Sequence, residues 1–185
     1  VAGADLEEVP TATQTFLTKP VVRPSDEELD KLAAVLNDSK NKKIALYCGH
    51  GCQHAVKEVE QLAETLKAPI VASFRGKIFF DRPDSPYIAG MNGLLGHSSG
   101  YDACAKADVL VMLGTDFPYA EFLPKKSTII QIDERPEIIG RRAKVDYGFA
   151  GDIKDSITAL LPKLSARTDD GFLKDIHKEY LDLEK

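Results

Sequence analysis

The residues able to do chemistry gather where apolar runs stop: Gly49-His50-Gly51, Ser73-Phe74-Arg75-Gly76, Gly90 to Gly93, Gly114-Thr115-Asp116, Asp133 and Gly151-Asp152. Glycine at such a point lets a phosphate or a ring approach the backbone. A helix starting just after it offers free N–H groups and the positive end of its dipole. An acid directly after a strand, as Asp133 reads, accepts hydrogen bonds from a ribose. Together these segments suggest a nucleotide cradle, with plain loop punctuation as the competing reading. Arg75 and Lys77 are candidates to meet a phosphate.

Other chemistries fare worse. Cys48, His50, Cys52 and His54 alternate at every second residue, whereas zinc sites pair two close ligands with two distant ones. The alternation is therefore read as structural. His54 stands where the G-x-G-x-x-G fingerprint needs its third glycine, which argues against an ordinary NAD-dependent Rossmann dehydrogenase. Ser73, Ser98 and Ser99 lack a G-x-S-x-G context. Arg141 and Arg142 read as a solvated pair, His97 and His177 as surface or supporting residues, and Cys104 as a small core residue.

The elements that must position these groups follow from periodicity. Ser25 and Glu28 form a capping box ahead of the stripe Leu29, Leu32, Ala33, Leu36. Lys43 to Cys48, Pro69 to Ser73, Asp108 to Leu113, Ser127 to Ile132 and Val145 to Ala150 read as strands. Helices are expected from Val56, from Gly100 to Lys106 and from Asp152 to Leu164, with a turn at Glu137 to Ile139. Residues 74–107 are otherwise hard to assign. Short apolar strands alternating with helices predict an α/β fold, a three-layer, mostly parallel Rossmann-like sheet with helices on both faces. Residues 1–24 read as a linker, 25–165 as the binding domain and 166–185 as a charged C-terminal helix leading to a further domain.

The 185 residues suit one domain with a core. A net charge of −5 argues against nucleic acid as a partner. Three cysteines suit a reducing, cytoplasmic setting. The start, VAGADLEEVP, lacks the features of a signal peptide, and its Val suggests an excised piece of a longer chain.

At these residues the chain resembles the middle domain of bacterial pyruvate oxidases of the quinone-reducing type. The resemblance rests on CGHGC at 48–52, KAPIV at 67–71, RGK at 75–77, GMNGLLGHSSG at 90–100, ADVLVMLGTDFPY at 107–119, IIQID at 129–133 and GDIKDSITALLP at 151–162. It implies FAD contacts from Asn92, Gly93, Leu94 and Leu95, from Thr115, Asp116, Phe117, Pro118 and Tyr119, and from Asp133. It further implies Gly49, Gly51, Ser73, Arg75, Gly76 and Asp152. It also implies a parent with thiamine diphosphate and Mg²⁺ held by two other domains. That parent would be a homotetramer, peripheral at the inner membrane, passing electrons to quinone. No catalytic residue and no metal ligand are expected in this chain. Related readings are the middle domain of an acetohydroxyacid synthase or a decarboxylase, an NAD-binding sirtuin-like deacylase, and a nucleotide-sensing module.

Overall fold

The computed structural model describes residues 20–39, 42–82, 84–183 and 185. Most of the expected linker, residues 1–19, lies outside them. The described elements are α1 (Asp26–Asp38), β1 (Ile44–Cys48), α2 (Val56–Leu66), β2 (Ile70–Ala72), α3 (Lys77–Phe80), β3 (Ile88–Met91), α4 (Ser98–Lys106), β4 (Val109–Leu113), β5 (Thr128–Asp133), β6 (Tyr147–Ala150), α5 (Ile153–Leu160) and α6 (Gly171–Leu183).

The strands form one parallel sheet in the order β3-β2-β1-β4-β5-β6. β1 to β5 are buried on both sides because helices cover both faces, while the edge strand β6 keeps only Phe149 buried. Alternation along β1 divides the core. Ile44, Leu46 and Cys48 pack with α1, α2 and α5, while Ala45 and Tyr47 pack with α4 and the Ile176 side of α6. The Ser25–Glu28 capping box forms as the sequence requires: Ser25 N donates to the Glu28 carboxylate at 2.8 Å and Glu28 N to Ser25 Oγ at 3.3 Å.

Several expected bounds shift for physical reasons. β3 was hidden in the unassigned stretch because Gly90 sits inside it at φ +82°, at a break in register opposite β2. The 152–164 helix ends at Leu160 and closes as a 3₁₀ turn over Leu161–Lys163, where Pro162 cannot continue an α-helix. Asp133 is the last residue of β5 rather than the first after it. The charged C-terminal helix buries Leu173, Ile176 and Tyr180, and packs on α4 and β3.

The order of the strands reverses between β1 and β4, and there the two outgoing turns touch backbone to backbone. Gly51 N donates to Gly114 O at 3.0 Å, and Gly49 N to Leu113 O at 2.9 Å. A Cβ on Gly51 would lie 2.7 Å from Gly114 Cα; one on Gly114, itself at φ +54°, would lie 2.6 Å from Gly51 Cα. Nothing at that contact is a flexible side chain that could yield. Gly51→Ala and Gly114→Ala are each expected to cost about 2–4 kcal/mol in chemical unfolding. A loss below about 0.5 kcal/mol would show that the turns can part without cost.

Candidate functional site

A cavity of about 600 Å³ opens at the carboxyl ends of the strands, above the β1–β4 reversal. Open parallel sheets bind ligands at this place, because diverging loops leave a crevice there. The loops after β1, β2, β4, β5 and β6 all reach it. Of the residues expected from the sequence, Gly51, Ser73, Arg75 and Thr115 line it, as do Asp116, Phe117, Pro118, Asp133 and Asp152.

Seven expected residues do not line it. Gly49 and Gly76 serve close packing: their Cβ atoms would fall 2.3 Å from Gly114 O and 2.4 Å from Cys48 O. Asn92 is buried and donates to Phe122 O at 3.1 Å. Gly93 abuts the Phe117 ring. Leu94 and Leu95 are 67% and 73% exposed outside the cavity, and Tyr119 stacks edge-on against Phe117 at 5.5 Å. The lining also holds groups not expected from the sequence as ligand contacts: Gln53, His54, Arg135 and Lys154. Position carried a signal for two of them. His54 precedes α2 and Lys154 falls in the first turn of α5.

Asp133 dominates the electrostatics. It is 2% exposed; its Oδ1 accepts from Arg135 N at 3.0 Å and faces Arg135 Nε at 3.7 Å. Its Oδ2 is buried with no hydrogen-bond partner among the described residues. Burial raises its carboxyl above the ordinary value, against a lowering by Arg135. Three other polar groups of the cavity are committed to the fold. Ser73 Oγ accepts from Gly76 N at 3.2 Å. Asp152 Oδ1 caps α5 by accepting from Asp155 N at 3.0 Å. Asp116 is bound by Arg142 Nε at 2.8 Å and Arg141 Nη1 at 3.4 Å; Arg142 is thus drawn from solvent into an ion pair, while Arg141 stays 54% exposed as the sequence suggested.

The start of α2 faces the cavity through Gln53, His54 and Ala55, and no side chain caps it. Its leading N–H groups and dipole favour an anion there. The Cys-x-His-x-Cys-x-His alternation sends its members apart. Cys48 and Cys52 are in the core, Cys52 Sγ donating to Leu113 O at 3.3 Å, while His50 and His54 are exposed at the cavity. His97 stacks on Tyr180 at 5.8 Å and His177 Nδ1 meets Ile88 O at 2.8 Å, so both belong to the seat of α6.

The geometry thus offers an uncapped helix start for an anion and one buried carboxylate oxygen awaiting a hydroxyl donor. The family model for the thiamine pyrophosphate enzyme central domain matches residues 29–160, which contain β1 to β6. An uncharacterized 42.6 kDa protein of Pseudomonas amyloderamosa is 52% identical over 85% of this chain and 39% of its own length. Sulfoacetaldehyde acetyltransferase of Roseovarius nubinhibens is 35% identical over 77% of the chain and 25% of its own. Pyruvate oxidase of Lactiplantibacillus plantarum is 30% identical over 84% and 26%. The chain spans between a quarter and two fifths of the length of these relatives. With its six parallel strands, its crevice at the strand reversal and that match, the chain belongs to the thiamine pyrophosphate enzyme central domain family.

Proposed function

We propose that the chain is the FAD-binding central domain of a thiamine-diphosphate-dependent pyruvate oxidase. In this reading the parent decarboxylates pyruvate oxidatively and hands electrons through FAD to quinone. FAD, when bound, supplies the two-electron acceptor. This chain binds and orients it, and is not catalytic alone. Thiamine diphosphate, Mg²⁺, the homotetramer and a cytoplasmic place at the inner membrane belong to that proposed parent.

The observation that carries the reading is the Asp133 Oδ2 atom. A buried carboxylate oxygen without a donor is costly, and a ribose hydroxyl is a group that would satisfy it. Ribose on Asp133 leaves the diphosphate for the start of α2, beside Gly51 and His54, with Arg75 as the available cation. The cavity volume falls in the range of small-molecule sites, roughly 300–1,000 Å³. The 30% identity to a pyruvate oxidase supports the oxidase choice. A second reading, a flavin-independent acyl-transfer enzyme, draws on the 35% identity to a sulfoacetaldehyde acetyltransferase.

A visible absorption titration of the chain with FAD, with NAD as control, separates them. A shifted flavin spectrum on binding is expected, with affinity falling about tenfold in Asp133→Asn, the scale of one hydrogen bond to a charged group. NAD binding without FAD binding would overturn the FAD assignment. Absence of both would favour the acyl-transfer reading.

The same carboxyl makes a stability prediction. Its folded pKa is raised above the unfolded value, so the folded state binds more protons in the window just above the ordinary carboxylate range, and stability falls as pH rises through it. Without ligand, Asp133→Asn is therefore expected to be more stable than the native chain at neutral pH. The difference should close as pH drops below the ordinary carboxylate value. Thermal melts across pH 3 to 8 decide it, and a variant less stable at neutral pH would refute the assigned burial penalty.

A further inference from the structure

Gln131 lies mid-strand in β5 among isoleucines and is 3% exposed. A buried amide is tolerated only when its hydrogen bonds are made. Its Nε2 donates to Thr115 O at 3.3 Å and Ile138 O at 3.5 Å, and its Oε1 accepts from Gly140 N at 2.9 Å. Thr115 is in the loop after β4, whereas Ile138 and Gly140 are in the loop after β5. One side chain thus joins two loops that share no strand ladder. Gly140, at φ +76°, turns the chain ahead of Arg141 and Arg142, whose guanidiniums bind Asp116. The Thr115–Asp116 wall of the cavity is held from the core by an amide and from outside by an ion pair. Neither Gln131, Arg141 nor Arg142 lines the cavity itself.

We infer that Gln131 is a positioning residue: it fixes the Thr115–Phe117 wall of the cavity to the 138–142 loop, with Arg142–Asp116 as the outer strut. The inference rests on the nucleotide-binding reading for its consequence, but the tie between the loops stands apart from it. An apolar residue of similar length would fill β5 as well, yet would leave Thr115 O, Ile138 O and Gly140 N without the amide. The wall would then be free to drift from its place beside Asp133 in the cavity lining.

The test compares the native chain with Gln131→Glu, Gln131→Met and Arg142→Ala, reading FAD affinity and amide hydrogen exchange at Thr115–Phe117 and Gly140. Burial raises the titration of the carboxyl that Gln131→Glu introduces; above that range it keeps an acceptor for Gly140 N and loses the donor to Thr115 O. About tenfold weaker binding is expected, with faster exchange in the wall. Lowering the pH protonates the introduced carboxyl and restores a donor, so affinity relative to the native chain at the same pH should recover. Gln131→Met should stay weak throughout. Normalising to the native chain removes the titration of Asp116 and Asp133, and the charge of Arg141 and Arg142 is constant. Arg142→Ala, at a partly exposed site, keeps the fold and should weaken binding less but in the same sense.

Native-like binding by both Gln131 variants, or a loss in Gln131→Glu that acid does not reverse, would overturn the assignment. If the native chain binds no FAD, exchange decides alone. Unchanged protection of Thr115–Phe117 in Gln131→Met removes the tie. Faster exchange upholds it and leaves only the nucleotide reading in error.

Discussion

Between the turn after β1 and the turn after β4 the contact is almost all backbone: Gly49 and Gly51 lie against Gly114, with the Cβ of Thr115 also at Gly49. Much of the rest depends on that bare contact. With the two turns in van der Waals reach, Cys52 tucks beneath them onto Leu113 O, and α2 starts beyond it with its N-cap residue Ala55 at the cavity. A single methyl group here would push apart the two central strands of the sheet or lift the start of α2. Glycine is thus demanded by packing first, and the openness of the crevice is a consequence of how close the strands' exits lie.

The two ends of the sheet treat charge differently. At the amino ends of the strands a second cavity, about 540 Å³, carries Lys42, Lys43, Lys67, Lys106 and Arg167. Three of these cations serve the fold. Lys67 caps α2, Lys106 closes α4 and pairs with Asp102, and Arg167 donates to Leu66 O and Lys42 O. Basic groups at helix carboxyl ends complement the dipoles, so their presence needs no ligand. At the carboxyl ends, Ser73, Asp116, Gln131 and Asp152 are equally committed, each to the loops or the helix it holds. Asp133 alone among these acids keeps a buried oxygen without a donor. The buried, unmet acceptor at the carboxyl ends favours that cavity as the binding site.

The sheet was legible because its strands are apolar runs ended by glycine or aspartate, and the Ser25–Glu28 cap was legible because its chemistry is local. β3 was not. Ile88-Ala89-Gly90-Met91 has a glycine with positive φ at a register break, a conformation set by contact with His97 and Tyr180 rather than by neighbours in sequence. The strand ends predicted the loops that meet at the cavity, since topology brings the ends of parallel strands together. What sequence could not assign was the division of labour within a loop. Gly49, which packs, and Gly51, which also borders the cavity, look alike in a string of letters. Arg142 looked solvated because its partner, Asp116, is distant in sequence and reached only through the turn at Gly140.

The segment from Asn92 to Leu95 shows where resemblance and geometry diverge, and how they can meet. Resemblance makes these residues cofactor contacts, yet Leu94 and Leu95 project to solvent and Asn92 spends its amide on Phe122 O. Gly93 supplies the link. Lacking a Cβ, it lets the Phe117 ring approach within the space a side chain would fill, and Phe117 is itself a wall of the cavity. Tyr47 supports the same ring from the core at 5.2 Å and Tyr119 from the other side at 5.5 Å. The 92–95 segment therefore shapes the cavity through an aromatic intermediary. The motif and the site are connected by packing, even where the motif's own side chains point elsewhere.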